Sequence, residues 1–171
     1  MRWRGRADLS PDVRASLGLA RGERVLAVAH DPDGRPVVAT DRDLLLQLSP
    51  PEYQRIGWET IDKATYVEGV LRVTRVDSHG VSGAGLRIPL PDPGELPVVV
   101  RDRVTSSIVV SQPVTVADGV GIRVVARRRP DHEGLTWSYV LDRGVDASDP
   151  ETVRAAREAV AAVRLDAGID G

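Results

Sequence analysis

The sequence predicts an α+β protein, mainly antiparallel β, in which a curled sheet carries a C-terminal amphipathic helix packed on it. Three observations carry that expectation. Residues 22–76 read as short apolar runs separated by turn chemistry at close intervals, the pattern of an antiparallel meander. Residues 108–141 hold three further runs of the same kind. Residues 149–168 then read as a helix with one apolar stripe.

The elements follow in order. Ser10, Pro11 and Asp12 form a helix start, with a capping hydroxyl, a proline at the first position and an acid in the first turn. A short helix is expected over 11–17, with Leu9, Val13 and Leu17 on one face and Gly18 ending it. Residues 24–30 make a strand that is apolar on both faces. Asp31-Pro32-Asp33-Gly34 is a strong turn into 36–40. Asp41-Arg42-Asp43 leads into 44–48, and Ser49-Pro50-Pro51-Glu52 breaks the chain again. Residues 56–66 read as one strand anchored by Trp58 and Ile61. Glu68-Gly69 turns it into 71–76, where Leu71 and Val73 oppose Arg72 and Thr74. A small-residue loop follows over 77–85, then a strand over 85–90.

Pro91-Asp92-Pro93-Gly94 marks a boundary. Leu96, Val99, Val100 and Val104 keep helical spacing, so a helix is expected over 96–105, with a strand as the rival because of the β-branched content. Strands are expected at 108–116 and 120–128, joined by a hairpin turn at Ala117-Asp118-Gly119. In 135–141, Leu135, Trp137, Tyr139 and Leu141 form one buried face. Asp149 caps the last helix, Pro150 opens it, and Val153, Ala156, Val160 and Val163 form its stripe. Residues 1–21 are therefore a lead with a short helix. Residues 22–171 are one β-rich domain with a sub-boundary at 91–95. Whether 96–171 completes the first sheet or forms a second lobe stays open at this point.

Composition removes several functions. The chain has no Cys, which excludes disulfides, thiol nucleophiles and thiolate metal sites. Its net charge of −2 supplies no global field for nucleic acid or membrane. Only Lys63 among the 23 basic residues is not Arg, and the Arg are scattered among 25 acids, as a GC-rich coding genome would produce. The first ten residues, MRWRGRADLS, carry charges and no apolar stretch of the kind a signal peptide needs. No run approaches the roughly 18 apolar residues of a membrane span. A cytoplasmic protein without membrane insertion is expected.

The residues Gly22, Glu23, Val25, Leu26, Thr40, Leu44, Leu45 and Trp58 stand in the order "Gly-Glu, strand, Thr-x-x-x-Leu-Leu, strand with Trp". In that order the chain resembles bacterial PH-like domains and related small actinobacterial proteins of unknown function. The resemblance covers 22–76 and, more loosely, 85–105, and it implies a PH-like split barrel. It does not carry lipid binding with it. Relatives that bind phosphoinositides place basic residues on the first hairpin, whereas this one holds Asp31 and Asp33, which repel phosphate.

Candidate chemistry is sparse. His30, His79 and His132 all fall in expected turns beside acids, without metal-ligand or triad spacing. Thr105-Ser106-Ser107 lacks the glycine-flanked elbow of a nucleophile and suits helix capping. The three glycines of 78–85 lack the order and the following helix of a phosphate cradle. Trp58 and Trp137 suit a core better than a pocket. Arg127-Arg128-Arg129 is the one dense basic cluster, so Arg123, Arg127 and Arg129 are the candidate anion or nucleic-acid contacts. No catalytic, cofactor or metal residue is assigned. The expectation is a non-catalytic binding or scaffold module that takes a protein partner, with peptide added as a strand at an open sheet edge. An Arg-dependent nucleic-acid or phosphate binder is the alternative, and an enzyme without a recognisable motif the third reading.

Overall fold

A computed structural model describes residues 9–77, 82–116 and 119–168 of the chain. Its first element is α1 (Pro11–Ser16), capped by Ser10, whose hydroxyl accepts from the Val13 N–H at 3.3 Å. Four strands follow as a meander in one antiparallel sheet: β1 (Val25–His30), β2 (Pro36–Thr40), β3 (Asp43–Ser49) and β4 (Glu52–Gly57). Every residue of β2 is buried, because the sheet is covered on both faces. Leu17, Leu9 and Leu19 from the α1 region pack on Val38 and Leu45 on one side. Ala39, Leu44 and Leu46 enter the main core on the other. This explains the two-faced apolar reading of 24–30.

The single strand expected over 56–66 is interrupted. After Gly57 the chain makes a 3₁₀ turn at Trp58–Thr60 and leaves for a second sheet. The Thr60 hydroxyl closes that turn by donating to the Gly57 carbonyl at 2.8 Å. The turn drives Trp58 into the core at 1% exposure. The second sheet holds β5 (Ile61–Val67), β6 (Val70–Val76) and β7 (Ser82–Pro89) in that order, so β5 is an edge strand. Its first hairpin turns on Glu68 and Gly69, both at positive φ (50° and 77°), which fits the right-handed twist of the pair.

Helix α2 (Leu96–Ser106) crosses both sheets. Its buried residues are Leu96, Val99, Val100 and Val104, the set the spacing indicated. They share one core with Trp58, Ile61, Leu71 and Val73. The helix that closes the first seven strands is therefore α2 and not the C-terminal one.

Residues 108–141 do not finish either sheet. They form a third, three-stranded antiparallel sheet in the order β10-β9-β8, from β8 (Ile108–Thr115), β9 (Gly121–Arg128) and β10 (Leu135–Leu141). The C-terminal helix α3 (Pro150–Asp166) packs on β9 and β10. Asp149 caps it by accepting from the Thr152 N–H at 2.9 Å. Ala156, Ala159 and Val163 are its buried residues, joined by Val160, against Ile122, Val124 and Tyr139. In β10 the opposite face is covered as well: Ser138 is 3% exposed and β10 lies beside β7. The turn residues Ala117 and Asp118 and the loop residues 78–81, His79 among them, lie outside the described residues.

Candidate binding groove

The three arginines singled out in the sequence do not converge on one open surface. Arg127 is 2% exposed and works as an internal strut. One guanidinium nitrogen donates to the Val104 carbonyl at 2.9 Å and the Ser107 hydroxyl at 3.0 Å, and another donates to the Asp62 carbonyl at 2.9 Å. It ties β9 to the end of α2 and to β5, and burial lowers its pKa. Arg129 is taken by acids: Asp131 at 2.7 Å, Glu59 at 3.5 Å and Asp43 at 3.8 Å. The Asp131 bond raises the Arg129 pKa. Arg123 is exposed and donates to the Ser111 hydroxyl at 3.3 Å. A nucleic-acid face built on these three is thus already filled at two of its positions.

A buried charge node escaped the sequence reading. The Glu23 and Asp43 side chains are 0% and 2% exposed, and Arg55 bridges them. One Arg55 nitrogen lies 2.5 Å from Glu23 and 2.7 Å from Asp43, while another donates to the Leu17 and Gly18 carbonyls. Glu23 also accepts from the Thr40 hydroxyl at 2.7 Å and the Ala20 N–H at 2.9 Å. Burial alone raises the Glu23 pKa, yet these hydrogen bonds outweigh it and the carboxyl sits below its ordinary value. The signal was visible only as polar residues, Glu23 and Thr40, at the ends of apolar runs. Their partners lie 17 and 32 residues from Glu23. Each of these two carboxylates accepts from a guanidinium, so the node anchors α1, β3 and β4 and leaves neither free as a base. Among the described residues no group of three His, Asp or Glu is arranged to hold a metal ion.

The other sequence candidates stay apart. His30 and His132 are exposed, and the His132 ring nitrogen Nδ1 accepts from the Gly134 N–H at 3.0 Å. Ser106 and Ser107 cap the end of α2 by donating to the Arg103 and Val104 carbonyls. Trp137 packs in the smaller core. In the first hairpin, Arg35 lies 2.7 Å from Asp33, and Asp31 accepts two backbone N–H groups.

An open groove of about 360 Å³ lies where α2 passes the free edge of β5. The hairpin supplies Ala64, Tyr66, Val67 and Leu71, and the helix supplies Pro97, Val98 and Arg101. Val67 and Val98 are 46% and 61% exposed at its mouth. Val67 pairs with Val70 across the two-residue turn, so by antiparallel alternation the N–H and C=O groups of Ala64 and Tyr66 point away from β6, toward the groove side. Farther along, the outward carbonyl of Asp62 is occupied by Arg127. The accessible edge is therefore a short stretch, stopped at one end by a guanidinium and at the other by the hairpin turn.

No family model, curated protein or solved structure matches the chain. No helix among the described residues is long and apolar enough to cross a membrane.

Proposed function

We propose that this chain is a non-catalytic protein-binding module that takes an extended peptide segment along β5. The observation that carries the reading is the apolar groove between α2 and the unpaired edge of β5. An unpaired edge offers alternating donors and acceptors that an extended backbone satisfies, and adjacent apolar pockets read its alternate side chains. The exposed Val67 and Val98 give that ligand apolar surface to cover. Seven antiparallel strands closed by α2 also fit the PH-like layout that the sequence resembles, and peptide capture at an open edge needs no diagnostic residue.

Peptides selected from a random display library provide the test. Amide resonances of Ala64 and Tyr66 are expected to shift and to exchange more slowly on binding. Ala64→Pro removes an N–H that β6 does not use, so the sheet survives while the ligand loses a hydrogen bond. About a tenfold loss of affinity is expected. Val98→Asp, at an exposed helix position, should weaken binding without unfolding the chain. Selected peptides that bind both variants as tightly as the parent, or that leave 61–67 unshifted, would refute the reading.

A further inference from the structure

We propose a second, independent site: the cleft between the last turn of α2 and the end of β9 binds a small oxyanion, a phosphomonoester or a carboxylate, through Arg103 and Arg128. The cleft measures about 240 Å³ and is lined by Trp58, Arg103, Ser106, Ser107, Arg128 and Pro130. No carboxylate stands among these. Arg127 and Arg129, on either side of Arg128 in sequence, have acids within 4 Å. Among the described residues, the guanidinium groups of Arg103 and Arg128 have no hydrogen-bond or ion-pair partner. The free cation of the basic triplet is thus its middle member, and the fold sets it across a concavity from a second one.

Two like charges sharing a cleft disfavour each other, and an anion between them reverses the sign of that interaction. A helix C-terminus ordinarily opposes an anion. Here its carbonyls are already engaged. Val104 accepts from both Arg127 and the Ser107 hydroxyl, and Arg103 accepts from the Ser106 hydroxyl and the Ser107 N–H. The negative pole is therefore offset from within, and the two arginines remain available to a ligand. Guanidinium forks match phosphate and carboxylate oxygens in pairs. The Trp58 indole, held in place by its N–H bond to the Thr40 carbonyl at 3.1 Å, supplies a rigid apolar floor. The volume falls below the range of about 300–1,000 Å³ typical of drug-sized ligands, which selects a small acidic group over a whole nucleotide.

The test is a titration of the full-length protein at low ionic strength with inorganic phosphate and, separately, with acetate, followed by the Nε resonances of the arginines. Saturable shifts at Arg103 and Arg128 are expected. Arg103→Gln and Arg128→Gln should each weaken binding about tenfold, Arg128→Lys less so, and Arg123→Gln not at all. Saturation by phosphate alone assigns a phosphomonoester, and saturation by acetate as well assigns a carboxylate group. Shifts that grow linearly with both salts, or that weaken equally in Arg123→Gln, overturn the site. Peptide binding at β5 is read from other resonances, so either proposal can fail alone.

Discussion

Replacing Arg55 by Ala is expected to lower stability by about 3 kcal/mol, the low end of the penalty for breaking a buried ion pair. The low end applies because the Arg55 side chain is itself 33% exposed. The cost resides in what is left behind. Glu23 and Asp43 are fully or almost fully out of solvent; without Arg55, Glu23 has lost its water with no cation in return, and Asp43 keeps only the longer contact to Arg129 at 3.8 Å. For a chain of this length the melting temperature should fall by roughly 6–12 °C. Arg55→Lys should recover only part of the loss, since an ammonium cannot bridge two carboxylates and two carbonyls at once. The double variant Glu23→Gln, Arg55→Ala should lose less than the two single losses added, the mark of a direct coupling. A melting point within a degree of the parent for Arg55→Ala would remove the node from the account of stability.

The same node fixes an acid limb of the stability profile. The Glu23 carboxyl is depressed in the folded chain, so its contribution is fully present above the unfolded carboxyl pKa of about 4.3. It is lost as pH falls through the lower native value. In Arg55→Ala the Arg55 hydrogen bond and charge that help depress Glu23 are gone, so the gap between variant and parent should narrow as acid neutralises the stranded Glu23 carboxylate. Chemical denaturation at several pH values below neutrality measures that gap.

Local chemistry made much of the fold legible. Ser10 and Asp149 cap the helices they precede, and Asp31 closes the turn its sequence announces with Gly34. The period of Leu96, Val99, Val100 and Val104 gave the right face of α2 despite its β-branched residues, because tertiary burial overrides a weak propensity. What stayed hidden were relations between distant positions. Glu59 and Arg129 meet across 70 residues, and Arg127 reaches the Asp62 carbonyl across 65. No periodicity encodes such pairs, so an arginine triplet looks uniform in sequence while the fold buries one member, pairs another and exposes the third. The 3₁₀ turn at Trp58 was hidden for a similar reason. Only the passage from one sheet to the next requires a break there, and the local residues all suit a strand.

The two cores explain why removing the C-terminal helix is expected to have a large but divided effect. Deleting residues 149–171 takes away the surface that covers Ile122, Val124 and Tyr139, each at most 2% exposed. Uncovering such side chains costs roughly 1.5–3 kcal/mol apiece, so a three-stranded sheet stripped of its helix keeps too little buried area to stand alone. The truncated chain should aggregate and bind a hydrophobic dye. The larger core is built from α2 and the first seven strands and shares no buried residue with the smaller one. With Trp3 and Trp137 replaced by Phe, Trp58 should therefore keep its native fluorescence at temperatures where the dye already binds, giving two separated transitions. Ala156→Asp places a charge at a fully buried site of the same helix and should act in the same direction without shortening the chain. A truncated protein that stays soluble, ignores the dye and melts in one step would show that the third sheet does not depend on its helix. Loss of the Trp58 signal together with dye binding would show instead that the Arg127 strut couples the two cores into a single cooperative unit.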